Sequence, residues 1–68
     1  MKLYRFLTGP DDSSFCHRVT AALNKGWQLS GSPVYAFNAA TGAMQCGQAI
    51  VKDVDGETYT PDMKLGDY

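Results

Sequence analysis

Leu3, Arg5 and Leu7 fall on one side of an extended opening segment, and Lys2, Tyr4, Phe6 and Thr8 on the other. Apolar groups occupy both sides, a period-two strand pattern without a fully polar face. Gly9 and Pro10 end it. Asp11, Asp12 and Ser13 then supply side-chain oxygens that can accept from the free amides of a new helix, and their charge suits its N-terminal dipole. The spacing predicts a helix from about Asp12 to Lys25, with Phe15, Cys16, Val19, Ala22 and Leu23 on the packed stripe. His17, Arg18, Ala21, Asn24 and Lys25 fall on the wet side. Gly26 supplies the left-handed residue that commonly closes a helix.

Extended structure restarts at Trp27-Gln28-Leu29, is bent by Gly31-Ser32-Pro33, and continues from Val34 to Asn38. A hairpin loop at Ala39 to Gly42 leads to a third strand, Ala43 to Val54, the longest and therefore placed centrally. Gly47 within it predicts a bulge or a close backbone approach. Beyond Asp55 and Gly56 the chain turns polar, although Thr60 to Gly66 carry the cap, proline and glycine signals of one helical turn. Such a turn docks through Tyr59, Met63 and Leu65 or stays mobile. The pattern thus predicts a small α+β fold, a two-layer β-α-β-β domain over residues 1–55 and a C-terminal tail over 56–68. With the third strand between the first two, the sheet is a split β-α-β.

One helix covers one sheet face. On the third strand Met44, Cys46, Ile50 and Val54 share a side, opposite Ala43, Gln45, Gly47, Ala49, Val51 and Asp53. If the aliphatic sets face the helix, Tyr4, Phe6, Tyr35 and Phe37 form an aromatic patch on the open face, and such a patch marks a contact surface. A second copy of the chain or the chain's own tail can cover it. A tail exchanged between two subunits satisfies both.

A chain of 68 residues removes only about 60% of its unfolded surface from water, so its core needs support from disulfides, a metal or oligomerisation. Two cysteines, Cys16 and Cys46, are too few for a disulfide scaffold. The opening residues lack the apolar run of a secretion signal, and no stretch approaches the length of a membrane span. A cytoplasmic protein with reduced thiols is the expectation. Net charge is −1, and the six basic residues are scattered along the chain, which argues against binding driven by nucleic-acid phosphates.

Candidate chemistry is sparse. Cys16 beside His17 invites a thiolate reading, but neighbours on a helix diverge by about 100°, so Cys16 is expected to be buried against the sheet and His17 to point outward. Two cysteines thirty positions apart with one histidine do not make a metal site. Gly9-Pro10-Asp11-Asp12 joins strand to helix where phosphate loops occur, yet its aspartates repel phosphate and no glycine-rich motif is present. Asp53 to Glu57 echo a calcium loop without its closing glutamate. No catalytic residue, cofactor or metal is expected.

The stretches Tyr4 to Asp12, Phe15 to Thr20, Ala22 to Trp27, Cys46 to Ala49 and Pro61 to Leu65 together resemble the family known as domain of unknown function 1737. The resemblance implies a short bacterial protein of unassigned activity and transfers no site residue. Leu23-Asn24 with Gly26-Trp27 is also similar to other small β-α-β-β domains, which supports the topology. The combined expectation is a non-enzymatic self-association or protein-interaction module. It would be a homodimer before any higher oligomer, with room for an unidentified protein partner and without nucleic-acid or membrane partners. Its interaction residues are Tyr4, Phe6, Tyr35, Phe37, Tyr59, Met63 and Leu65. The alternative is a thiol or small-ligand site around Cys16, His17 and Cys46.

Overall fold

Asp12 opens the helix as the capping signals require: its backbone is extended, and its Oδ1 accepts from the Ser14 amide at 2.9 Å. A computed structural model describing residues 1–68 places β1 at Lys2–Pro10, α1 at Ser13–Asn24, β2 at Gln28–Asn38 and β3 at Ala43–Asp53, with a 3-10 turn at Leu65–Asp67. At the other end of α1, the Trp27 amide donates to the Ala22 carbonyl at 3.1 Å and the Gly26 amide to Leu23 at 3.2 Å. This is the Schellman closure, which needs a left-handed residue between the two donors; Gly26 supplies it with φ +96°. The motif also turns Trp27 under the helix against Ala22, and both join the buried core with Leu3, Leu7 and Ile50.

The strand order is β1-β3-β2 with both pairings antiparallel, so β3 is central as the sequence suggests. Register places Arg5 opposite Ile50 and Leu7 opposite Gln48. Met44, Cys46, Gln48, Ile50 and Lys52 therefore share the helix side. Within β2 the pairing jumps from Ser30 opposite Ala49 to Val34 opposite Gly47. Four steps on β2 thus match two on β3, a bulge at the predicted Gly31-Ser32-Pro33 bend. Buried Gln48 reaches into it: its Nε2 donates to Ala49 O at 2.9 Å and lies 3.3–3.4 Å from the Gly31 and Ser30 carbonyls.

Gly47 fulfils the other option read from the sequence, a close approach. A Cβ there would lie 2.5 Å from Phe6 Cζ, because the Phe6 ring lies over the bare backbone.

The helical turn of the tail differs from expectation in place. Pro61 sits within a turn closed by the Met63 amide on Thr60 O at 3.2 Å, and the 3-10 turn comes later, at Leu65–Asp67. Leu65 and Tyr68 pack against the core on the helix side, and Lys52 Nζ donates to Tyr68 O at 2.5 Å. The end of the tail thus lies over β1 on the helix side, while Tyr59 shares a hollow with Lys2, Leu3 and Tyr4 at the β1 edge. A single helix about 10 Å wide cannot span three strands, and on the β1 side the tail fills the space it leaves.

Candidate functional site

Side chains left uncovered by this arrangement lie on both faces. On the open face Tyr4, Phe6 and Val34 are about half exposed. Phe6, Val34 and Ala36 border a shallow hollow of about 220 Å³ above Gly47.

Tyr35 and Phe37 are not there. Tyr35 pairs with Cys46 and Phe37 with Met44, on the helix side, so the expected four-ring patch is split two and two. The reason is parity. The bulge adds an even number of residues, so Leu29, Tyr35 and Phe37 keep the side that buried Trp27 takes when it tucks beneath the helix. All four rings remain exposed, with Tyr35 at 59% and Phe37 at 62%.

The helix stripe is likewise narrower than expected. Phe15, Val19 and Ala22 face the core, while Cys16 is exposed and Leu23 is 42% exposed. Stepping ~100° per residue puts Cys16 and Leu23 about a quarter-turn from the core line. The expectation of a buried Cys16 is thereby corrected. His17 points outward as expected. On the helix side of β2 the result is an apolar strip, Leu29, Tyr35 and Phe37, that α1 leaves exposed.

Near that strip Asp11 gathers two groups. Tyr35 O–H donates to Asp11 Oδ2 at 2.5 Å, and Cys46 Sγ lies 3.9 Å from Asp11 Oδ1. Desolvation first, and then the Asp11 charge, push the Cys46 thiol above its ordinary range. The hydrogen bond to Asp11 first, and then desolvation, raise the Tyr35 phenol. Both groups therefore stay protonated at neutral pH, the opposite of an activated nucleophile. No group of three or more His, Cys, Asp or Glu side chains converges in a way that could hold a metal ion.

In the tail Tyr59 is exposed, Met63 is half-buried with its Sδ accepting from the Thr60 amide at 3.2 Å, and Leu65 packs on the core. Three residues escaped the sequence reading as contributors. Gln48 braces the bulge; a glutamine between apolar residues on a central strand was the available signal. Trp27 is 2% exposed, with its indole N–H lacking a partner. Arg5 stacks over that indole at 5.5 Å from the ring centroid, which explains an arginine on the helix-facing side of β1.

No helix is long and apolar enough to cross a membrane. Residues 1–53 match the model of the family described as Domain of unknown function (DUF1737), and the chain belongs to that family. No curated protein and no solved structure matches it.

Proposed function

We propose that this DUF1737 member is a non-enzymatic self-association module that pairs with a second copy of itself along the outer edge of β2. One observation carries the reading: β2 has no charged residue from Gln28 to Asn38, yet it is an edge strand exposing Leu29, Val34, Tyr35 and Phe37. Edge strands that stay single are guarded by charge, bulges or covering segments. The β1 edge has Lys2 and Arg5 with the tail packed beside it, and the bulge and Pro33 guard the first half of β2. Val34 to Asn38 has no such guard.

Shape and area support the same conclusion. The radius of gyration is 13.5 Å, against about 11 Å for a compact chain of this length. Accessible surface is 4706 Å², some 500 Å² above the roughly 4,200 Å² that scaling gives for this mass. A stable interface takes about 800 Å² per partner, and joining the β2 edges would bury the strip as well as the free backbone groups. Antiparallel self-pairing of Val34 to Asn38 about a two-fold axis is self-complementary and yields a six-stranded sheet. Tyr35 and Phe37 of each copy then lie beside those of the other. Tyr4 and Phe6 stand on β1, at the opposite edge of the sheet from this pairing, and Leu65 packs the tail onto the core away from it.

Sedimentation equilibrium tests the reading. The native chain is expected at twice its 7.4 kDa mass, and the double variant Tyr35→Ser, Phe37→Ser at the monomer mass with an unchanged circular dichroism spectrum. A native monomer at about 100 μM refutes it, as does a double variant that stays dimeric. Hydrogen exchange locates the interface. Edge pairing protects every amide from Val34 to Asn38, whereas a face-to-face dimer leaves alternate amides fast. The alternative, a thiol or small-ligand site around Cys16, His17 and Cys46, has less support, because Cys46 is held protonated and His17 faces away from it.

A further inference from the structure

Three of the six basic residues, scattered in the sequence, meet in space. Arg5 from β1 and Arg18 and Lys25 from α1 converge on one cleft of about 210 Å³, floored by Leu7 and Ala22 and walled on the far side by Gly66 of the tail. Arg18 and Lys25 are seven positions apart and so share a helix flank, the one opposite Cys16 and Leu23. No carboxylate lines the cleft; Asp67, next to Gly66, is outside the lining.

From this geometry we infer that the cleft binds a small phosphate-type oxyanion, independently of the association through β2. Two of the three cations are held in place by contacts that leave donors free. Arg18 Nη1 donates to Thr8 O at 2.6 Å, so its remaining N–H groups stay available. The Arg5 guanidinium carbon lies 5.5 Å over the Trp27 ring centroid, which anchors the group through its face and leaves its N–H groups for a ligand. Two oriented guanidiniums and a flexible ammonium suit a tetrahedral oxyanion, which accepts paired N–H donors from arginine and a point charge from lysine. The residues between the helix cations, Ala21 and Ala22, are small, and larger ones would fill the space. Size sets the class: drug-sized ligands occupy about 300–1,000 Å³, so this cleft fits a phosphate, pyrophosphate or short phosphate monoester and not a nucleotide. An unneutralised group of three like charges in a chain of net charge −1 concentrates counter-anions there.

The test is a titration of the ¹⁵N-labelled full chain with inorganic phosphate and pyrophosphate, with sodium chloride at matched ionic strength as reference. The expected result is saturable amide shifts confined to Leu7, Ala21, Ala22 and Gly66 and to the arginine Nε signals. Arg18→Gln and Lys25→Gln should each weaken binding about tenfold, the worth of one charge-assisted hydrogen bond, and Lys64→Gln should leave it unchanged. Lys25→Gln removes an exposed side chain outside the core, so it stays informative if Arg18→Gln fails to fold. Equal shifts with chloride would overturn the inference, as would undiminished binding in Lys25→Gln. Shifts produced by a single-stranded oligonucleotide but not by pyrophosphate would also overturn it.

Discussion

Replacing Gln48 with glutamate changes almost nothing in shape and reverses the chemistry at the β2 bulge. The amide Nε2 donates to Ala49 O at 2.9 Å and lies close to the Ser30 and Gly31 carbonyls, with the residue only 5% exposed. A carboxylate cannot donate, and it would be held against three carbonyl oxygens in a desolvated position. The loss combines about 1 kcal/mol for the short hydrogen bond with the penalty of a buried, unpartnered charge, together about 3 kcal/mol or more. A chain of 68 residues has in total about 3–10 kcal/mol of stability, so Gln48→Glu should lose from about a third of it to all of it at pH 7. Protonation restores a donor. The folded-state pKa of the introduced carboxyl must therefore lie above the unfolded value of about 4.3. The neutral acid is favoured in the folded state, so the stability it contributes is fully present below about pH 4.3 and is lost as pH rises through the folded value. The assay is urea unfolding at pH 4 and pH 7, at one protein concentration because association shifts apparent stability, read as the difference from the native chain. With a slope of about 1 kcal/mol per molar urea, the midpoint should fall by roughly 3 M at pH 7 and recover much of that at pH 4. A midpoint within about 0.3 M of native at pH 7 would show that Gln48 does not brace the bulge.

Two further outcomes follow from the packing and the cap. Gly47→Ala places a methyl 2.5 Å from Phe6 Cζ; the ring must swing away, costing about 1–2 kcal/mol, and in the Phe6→Ala background the same change should cost much less, which a double-mutant cycle by urea unfolding reads as coupling. Asp12 is held below the usual carboxylate range by hydrogen bonds from the Ser14 side chain and backbone, so its contribution is present above about pH 3.8 and is lost as pH falls through the lowered value. Asp12→Asn, which keeps the cap without the charge, should flatten the acid limb of stability between about pH 2 and 4, and an unchanged limb in thermal melts would count against the cap.

Much of the fold was legible because its signals are local. Asp12 and Gly26 bound the helix to within a residue through groups that act on their own neighbours, and Gly31 to Pro33 announced a bend in β2, which the structure makes as a bulge. Gly47 announced the close approach without naming Phe6. The candidate site was less legible, since each of its parts depends on what a distant segment does. The side taken by Tyr35 and Phe37 follows from Trp27 tucking under α1. The exposure of Cys16 and Leu23 follows from how narrow a line of contact one helix makes with the sheet.

By itself, then, the order of residues determined the helix and the three strands, the central place of β3 and an excess of apolar groups that one helix cannot cover. Only the tertiary structure decided which groups were left uncovered, on which side the tail settled, and that Arg5, Arg18 and Lys25 share a cleft. Caps, turns and periodicity are fixed by interactions a few bonds long. Faces and clefts arise where segments far apart in the chain meet, and there one early choice of side propagates along a whole strand.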